Sequence, residues 1–191
     1  MQKLQWVLSA FGDEISADLA DQVKTLTKHN IYHLEIRSVW DKNILELSDD
    51  ELERVKRKLR NHGCSISAIG SPIGKVDIEA DFTEHLKQFE RALTVAERLE
   101  TKYIRMFSFF IKPGEHSLHR GRVIDQVGQL TQLAEQRGII LLHENEKEIY
   151  GDTADRCLDL LATINSSHLR ATFDSANFIH GGEEPFPKAY N

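Results

Sequence analysis

The sequence has few cysteines and no long apolar run. Its two cysteines, Cys64 and Cys157, lie far apart and fit no zinc-ligand spacing, so we expect reduced structural thiols. No run approaches the roughly 20 apolar residues that a membrane-spanning helix needs. Residues 1–6 show no hydrophobic segment of a signal peptide. These absences predict a cytoplasmic protein that is not inserted in a membrane.

The sequence also lacks an excess of positive charge. It carries 24 Lys and Arg against 30 Asp and Glu, a net charge of -6. Because nucleic acids and anionic membranes bind basic surfaces, this balance argues against both partners. The chain has 191 residues, of which 40% are hydrophobic and 28% charged, and no linker or low-complexity segment divides it. We therefore expect one domain over residues 1–191.

Apolar runs alternate with amphipathic stretches along the chain. The amphipathic stretches have apolar residues at helical spacing, and Ser48 with Glu51 and Asp81 with Glu84 have the spacing of a capping box. Alternating strands and helices predict an α/β fold with a parallel sheet and right-handed crossovers. The apolar runs predict six strands, over residues 6–11, 31–36, 64–69, 103–110, 139–146 and 169–174.

Two α/β architectures compete for this pattern. A doubly wound dinucleotide-binding fold normally has a glycine fingerprint after its first strand. Residues 9–14 supply none, and the acidic side chains there would repel a pyrophosphate. A (β/α)₈ barrel places its functional side chains at the carboxyl ends of the strands. Glu35, Arg105, Glu144 and Asp174 all fall at such positions, so the sequence favours the barrel.

The predicted barrel is shorter than usual. The fold typically takes about 250 residues, whereas this chain supplies six predicted strands in 191 residues. Residues 185–191 have the pattern of the beginning of a sixth helix. We therefore expect that the last two βα units are absent and that the barrel is C-terminally incomplete.

Two carboxylates follow neighbouring predicted strands. Glu144 follows the apolar run of residues 139–142 after one histidine, and Asp174 ends the next strand along the chain. Neighbouring parallel strands lie about 4.8 Å apart, and carboxylates that close repel unless a proton or a cation lies between them. We predict that Glu144 and Asp174 bind a divalent metal ion; the alternative is a pair of solvated strand-end acids.

Three stretches resemble a known family. Residues 143–147, 149–153 and 173–178 are similar to motifs of the sugar phosphate isomerase/epimerase family, a branch of the xylose isomerase-like TIM barrel superfamily. The resemblance extends to residues 12–14 and 35–37. Endonuclease IV-type repair enzymes also belong to this superfamily. Their trinuclear zinc site uses a histidine at the position of Asn177, so DNA cleavage is not expected here.

The resemblance implies a metal site and a reaction. The family holds its metal with Glu, Asp, His and Glu from strands five to eight, and Glu144 and Asp174 match the first two. Manganese, cobalt, magnesium or zinc suit such a site. The implied reaction is isomerisation or epimerisation of a small-molecule sugar or sugar phosphate. Glu144 would move a proton next to a metal-bound carbonyl, through an enediolate.

Five further residues are candidates for contact with the substrate. Arg105 could hold a hydroxyl or phosphate group, Glu35 could bind hydroxyl groups or form an ion pair with Arg37, and Phe11 could form a wall of the pocket. His143 could contact the sugar, orient Glu144 or simply be a buried core histidine. The last candidate is Asn177. Separately, the loop of residues 70–75 could bind a phosphate through its backbone N–H groups or could form only a tight turn.

The sequence leaves other functions open. A hydrolase or a dehydratase could use the same scaffold, and so could a carbohydrate-binding or fragmentary barrel without catalysis. A homo-oligomer is also left open.

Overall fold

The structure is a computed structural model that describes residues 6–190. Internal contacts divide the chain into two compact units. The first comprises residues 1–71 and 94–102, and the second comprises residues 72–93 and 103–191. Within residues 6–190, no helix combines the length and the apolar character that crossing a membrane would require.

The first unit contains three parallel strands. Its elements are β1 (Ser9–Phe11), α1 (Leu19–Lys28), β2 (His33–Ile36), β3 (Ser38–Val39), β4 (Lys42–Asn43), α2 (Asp49–Arg60) and β5 (Ser65–Gly70). Strand β2 pairs in parallel with both β1 and β5. Apolar residues at helical spacing, such as Val23 and Val55, are fully buried. Here the predicted alternation of strands and helices is confirmed.

The predicted capping box begins α2. The backbone N–H of Glu51 donates to the Ser48 hydroxyl at 3.3 Å, and the Ser48 N–H donates to the Glu51 carboxylate at 2.8 Å. Two backbone N–H groups that the helix leaves without a partner are thereby bonded. The spacing of these two residues was therefore a reliable signal of a helix beginning.

A short hairpin in the first unit was not predicted. Strands β3 and β4 are antiparallel, and Trp40 and Asp41 at the turn have φ angles of 55° and 59°. Tight hairpin turns of this kind usually contain Asn-Gly or Asp-Gly. Each strand has two residues, too few to show alternation. The sequence pattern therefore had no means to indicate this hairpin.

The second unit contains three more parallel strands. After α3 (Phe82–Arg98), which begins in this unit and ends in the first, come β6 (Tyr103–Met106), α4 (His116–Gln136), β7 (Ile140–Glu144), α5 (Ala154–Ile164), β8 (Leu169–Thr172) and α6 (Ser175–His180). Strand β7 pairs in parallel with β6 and β8. The carboxyl ends of these strands therefore lie at one edge.

The fourth predicted strand is shorter than expected. It was predicted over residues 103–110, but β6 ends at Met106. The backbone N–H groups of Phe107 and Phe109 donate to the carbonyl oxygens of Ile73 and Gly74, both at 2.8 Å, and Phe109 has a φ of 67°. The apolar run continues because these rings are buried. The backbone has nevertheless left the extended conformation.

The prediction for the end of the chain was partly wrong. Helix α6 begins directly after Asp174, which caps it: the Asn177 N–H donates to the Asp174 carboxylate at 2.8 Å. Residues 185–189 form a separate helical turn interrupted by Phe186, whose φ and ψ are -130° and 138°. Asn191, included in the predicted helix, lies outside the described residues.

Neither cysteine forms a disulfide within the described residues. Burial raises the pKa of the Cys64 thiol and raises that of Cys157 to about 12. A thiol with a raised pKa is a poor nucleophile because little thiolate is present. Both residues thus fit the structural role that their positions in the sequence suggested.

Candidate active site

Glu144 lies at the end of β7 and forms an ion pair with Arg105 from β6. The Arg105 Nη1 atom is 2.7 Å from Glu144 Oε2, and the two side chains are only 8% and 13% exposed. Such a charge-assisted hydrogen bond between mostly buried groups fixes both side chains. The sequence analysis assigned both residues to the active site but did not predict that they would pair.

Asn145 joins the ends of β7 and β8. It is 2% exposed, and its side chain makes two hydrogen bonds with the backbone of Asp174. Its Nδ2 donates to the Asp174 carbonyl at 2.9 Å, and its Oδ1 accepts from the Asp174 N–H at 2.9 Å. The side-chain amide thus continues the pairing of the two strands beyond Thr172. Asp174 is held beside β7 as a result.

Asn177 contacts both candidate metal ligands. Its backbone N–H donates to Asp174 Oδ1 at 2.8 Å, and its Nδ2 atom lies 3.4 Å from Glu144 Oε1. The same Nδ2 donates to the backbone carbonyl of Asn145 at 2.9 Å. Asn177 therefore links Glu144 and Asp174. Its side chain makes hydrogen bonds within the protein, in addition to the substrate contact predicted for it.

The donor set fits a divalent cation in part. Glu144 and Asp174 offer oxygen ligands, which magnesium and manganese prefer. Within residues 6–190, no group of three His, Cys, Asp or Glu side chains is arranged to hold a metal ion. These two carboxylates are half of the four metal ligands, Glu, Asp, His and Glu, that the resemblance implies. The Arg105 guanidinium also places a positive charge against Glu144. This charge offsets part of the repulsion between neighbouring carboxylates, which the sequence prediction had assigned to a cation.

His143 lies on the opposite face of β7 from Glu144. Consecutive strand residues point to opposite faces, and His143 is 1% exposed with its Nε2 atom 2.9 Å from the hydroxyl of Ser108. The Gly151 N–H donates to the same hydroxyl at 2.8 Å. Burial lowers the pKa of the His143 imidazole to about 4, so it is neutral. These contacts favour the core-histidine interpretation over a role in substrate binding.

Gly151 is required by the position of this histidine. A Cβ atom at residue 151 would lie 2.3 Å from His143 Cε1, closer than any side chain tolerates. The glycine in the family-like stretch of residues 149–153 therefore makes room for the buried imidazole.

Phe11 and Glu35 lie in the first unit. They are register partners across β1 and β2 and are both half-buried. The Arg37 guanidinium carbon lies 4.6 Å from the centre of the Phe11 ring, and Arg37 Nε donates to Asp13 at 2.7 Å. Arg37 thus pairs with Asp13 and also with Glu14, whereas the pair considered from the sequence was with Glu35. For Phe11 and Glu35, contact with a substrate remains a prediction.

Sequence reasoning missed Asn145 and the ion pair of Lys75 with Glu146. Lys75 Nζ lies 3.0 Å from Glu146 Oε2. The sequence signal for Asn145 was its position between two carboxylates at a strand end. The role of this amide becomes clear only when the neighbouring strand is known to end at Asp174, whose backbone the amide bonds.

The family follows from a comparison with known sequences. Residues 24–191 match the model of the family described as xylose isomerase-like TIM barrel. The chain belongs to this family. The predicted fold class and the predicted superfamily are therefore confirmed. No protein of curated function shows significant sequence similarity to the chain.

Solved structures of xylose isomerase-like TIM barrels resemble the chain at low sequence identity. The IOLI protein with a bound zinc atom has a TM-score of 0.74 at 19% identity, over 92% of this chain and 66% of that one. The probable 3-DHS dehydratase AsbF of Bacillus anthracis has a TM-score of 0.72 at 20% identity, over 88% and 61%. The 3-keto-D-glucoside 4-epimerase YcjR of E. coli has a TM-score of 0.70 at 16% identity, over 90% and 68%.

These likenesses concern the fold. The chain spans about two thirds or less of the first two solved chains, 66% and 61% of their lengths. A shorter chain than a complete barrel was expected, and this is confirmed. These three similar structures include an epimerase and a probable dehydratase, and one contains zinc.

Proposed function

We propose that this chain is a divalent-metal-dependent isomerase or epimerase of sugars, which acts by moving a proton on carbon next to a carbonyl group. The observation that carries the proposal is the joint fixation of Glu144 and Asp174 by Asn145 and Asn177. Carboxylates held in one orientation at the ends of parallel strands suit both metal binding and proton transfer. The epimerase among the similar structures gives the proposal further support.

Glu144 and Asp174 have different roles in this proposal. Glu144 carries the proton in this proposal, the role that the family resemblance implies for it. Arg105 holds one of its oxygens and Asn177 approaches the other, so its orientation is fixed. Asp174 has one oxygen bonded to the start of α6 and serves only as a ligand. When bound, the metal would polarise the carbonyl group of the sugar. Arg105 orients Glu144 through its hydrogen bond to Oε2.

The decisive test is the exchange of substrate hydrogen with solvent. A panel of ketoses and inososes is incubated with the protein and Mn²⁺ in D₂O, and deuterium incorporation is measured by NMR. We expect wash-in at one carbon of the accepted sugar. Glu144→Gln should reduce the rate by about 10²- to 10⁴-fold, because it removes the group that carries the proton. Full activity in this variant would contradict the proposal.

A matched control is Glu148→Gln in the loop that follows. Glu148 is exposed, and this variant should exchange deuterium at the wild-type rate. Release of a dehydrated product without wash-in would instead indicate a dehydratase, the activity suggested by another of the similar structures.

A further inference from the structure

The loop that leads to Lys75 does not have the backbone of a phosphate cradle. The Gly74 N–H donates to His85 Nε2 at 3.0 Å, and the Lys75 N–H donates to the Pro72 carbonyl at 2.9 Å. Backbone N–H groups that already have partners cannot bind an anion. What residues 74 and 75 can offer to an anion is therefore the Lys75 side chain rather than their backbone N–H groups.

The loop is fixed against the residues that follow β6. The Phe107 and Phe109 N–H groups donate to the carbonyl oxygens of Ile73 and Gly74. Gly74 has a φ of 85°, and a Cβ atom there would lie 2.0 Å from the Phe107 carbonyl oxygen. Only glycine permits both this conformation and this close approach. The Cα position of Lys75 is determined by these contacts.

The Lys75 side chain reaches the same ring as Arg105. Lys75 Nζ lies 4.2 Å from the centre of the Phe107 ring, and the Arg105 guanidinium carbon lies 4.9 Å from it. Arg105 pairs with Glu144, and Lys75 pairs with Glu146. Two ion pairs thus share one buried aromatic ring, and Lys75 lies beside the candidate active site.

The two cations differ in exposure. The Arg105 side chain is 8% exposed, whereas that of Lys75 is 36% exposed. An ammonium group has three N–H donors, and the recorded bond to Glu146 uses one. Both nearby glutamates, Glu144 and Glu146, already have a cationic partner. An anion that approaches Lys75 therefore meets an ammonium group that is paired with Glu146 and keeps further N–H donors.

We propose that Lys75 binds an anionic substituent of the substrate, a phosphate or a carboxylate, and so selects acidic sugars over neutral ones. This assignment rests on the proposed function, because it places the substituent next to Glu144. A partly exposed ammonium held in one place pairs with such a group at low entropic cost. The sequence indicated the loop of residues 70–75 as a possible phosphate-binding loop through its backbone, but not through the Lys75 side chain.

Three forms of one ketose test the assignment. D-fructose, D-fructose 6-phosphate and D-fructuronate differ only at carbon 6, which carries a hydroxyl, a phosphate or a carboxylate. Their affinities are measured by calorimetry for the wild type and for Lys75→Met. We expect the wild type to bind one anionic form about tenfold or more tightly than D-fructose, because a hydrogen bond to a charged group contributes about that factor. Lys75→Met should bind all three alike.

Two further variants keep the result interpretable. Lys147→Met removes the same charge from an exposed position of the neighbouring loop and should keep the anion preference. Lys75→Arg retains a cation and should keep the anion preference as well. Equal binding of the three sugars by the wild type, no binding at millimolar concentration, or a preference that survives Lys75→Met would overturn the assignment.

Glu144→Gln separates this inference from the proposed function. It should still bind the anionic sugar more tightly than D-fructose, a ratio measured within the variant, while it loses deuterium wash-in. If Glu144→Gln remains fully active while Lys75→Met loses the preference, the proposed reaction is wrong and the anion site stands.

Discussion

At the scale of single residues, Asn145 is the group on which the arrangement of the two carboxylates depends. Both polar atoms of its buried side chain bond to the Asp174 backbone. We expect Asn145→Ala to lower the free energy of unfolding by about 1 to 3 kcal/mol, since it leaves the Asp174 N–H without this acceptor. The Asp174 carbonyl loses one of two donors and still accepts from the Phe178 N–H. Asn145→Ala should also weaken Mn²⁺ binding by about 10- to 100-fold. Urea denaturation and calorimetric titration measure the two effects.

The matched control for this prediction is Asn43→Ala. Asn43 caps the helical turn of residues 44–46 in the first unit, where its side chain accepts from the Leu45 N–H at 3.0 Å. This variant should lose stability but bind Mn²⁺ as the wild type does. If Asn145→Ala also kept the wild-type affinity, Asn145 would be a structural residue only.

Single-residue roles were partly accessible from the sequence. Glu144 and Asp174 could be predicted because each follows an apolar run, and parallel strands end at one edge. The roles of His143 and Asn177 could not be read from the sequence. Which face His143 takes depends on the exact end of β7, and the contacts of Asn177 depend on a helix that begins directly after Asp174. Sequence periodicity does not fix an element boundary to one residue.

At the scale of elements, His85 on α3 holds the loop that carries Lys75. It is 3% exposed, and burial lowers the pKa of its imidazole from the ordinary 6.5. Its Nε2 accepts the Gly74 N–H, which requires the neutral ring. The folded protein thus takes up this proton less readily than the unfolded chain. The stabilisation is complete above pH 6.5 and is lost as the pH falls below that value.

This linkage predicts a pH-dependent stability. The free energy of unfolding in urea should fall between neutral pH and about pH 5 in the wild type, because the unfolded His85 is protonated in that range. His85→Gln keeps an acceptor for Gly74 but does not titrate, so its slope should be smaller. The exposed control His62→Gln should keep the wild-type slope. A wild-type slope in His85→Gln would contradict the interpretation.

Elements were predicted well where their pattern was long. The capping box of α2 and the alternation of strands and helices in each unit follow the sequence directly. The β3–β4 hairpin did not, because its two strands have only two residues each. The early end of β6 did not, because backbone hydrogen bonds from Phe107 and Phe109 to residues 73 and 74 decided it. The glycines of residues 70–74 indicated a turn, but only the contact of Gly74 with Phe107 shows why one of them is needed.

At the scale of the whole molecule, the family assignment rests on residues 24–191. The fold class was predictable because acidic residues replace the glycine fingerprint after β1 and because charged residues gather at strand ends. The metal site stays a proposal. Two of its expected ligands lie within the described residues, and the chain spans 61% to 66% of the first two similar solved chains.

The most direct test of the account is a calorimetric titration of Mn²⁺ into the wild type, Asp174→Asn and Asp159→Asn. Asp159 lies on α5 and pairs with Arg120, away from the carboxylate pair, so it serves as the control. If Glu144 and Asp174 share a cation, the wild type and Asp159→Asn bind one Mn²⁺ with the same affinity, and Asp174→Asn binds it at least about tenfold more weakly. Identical titrations for the wild type and Asp174→Asn would contradict the claim that these two carboxylates form a metal site.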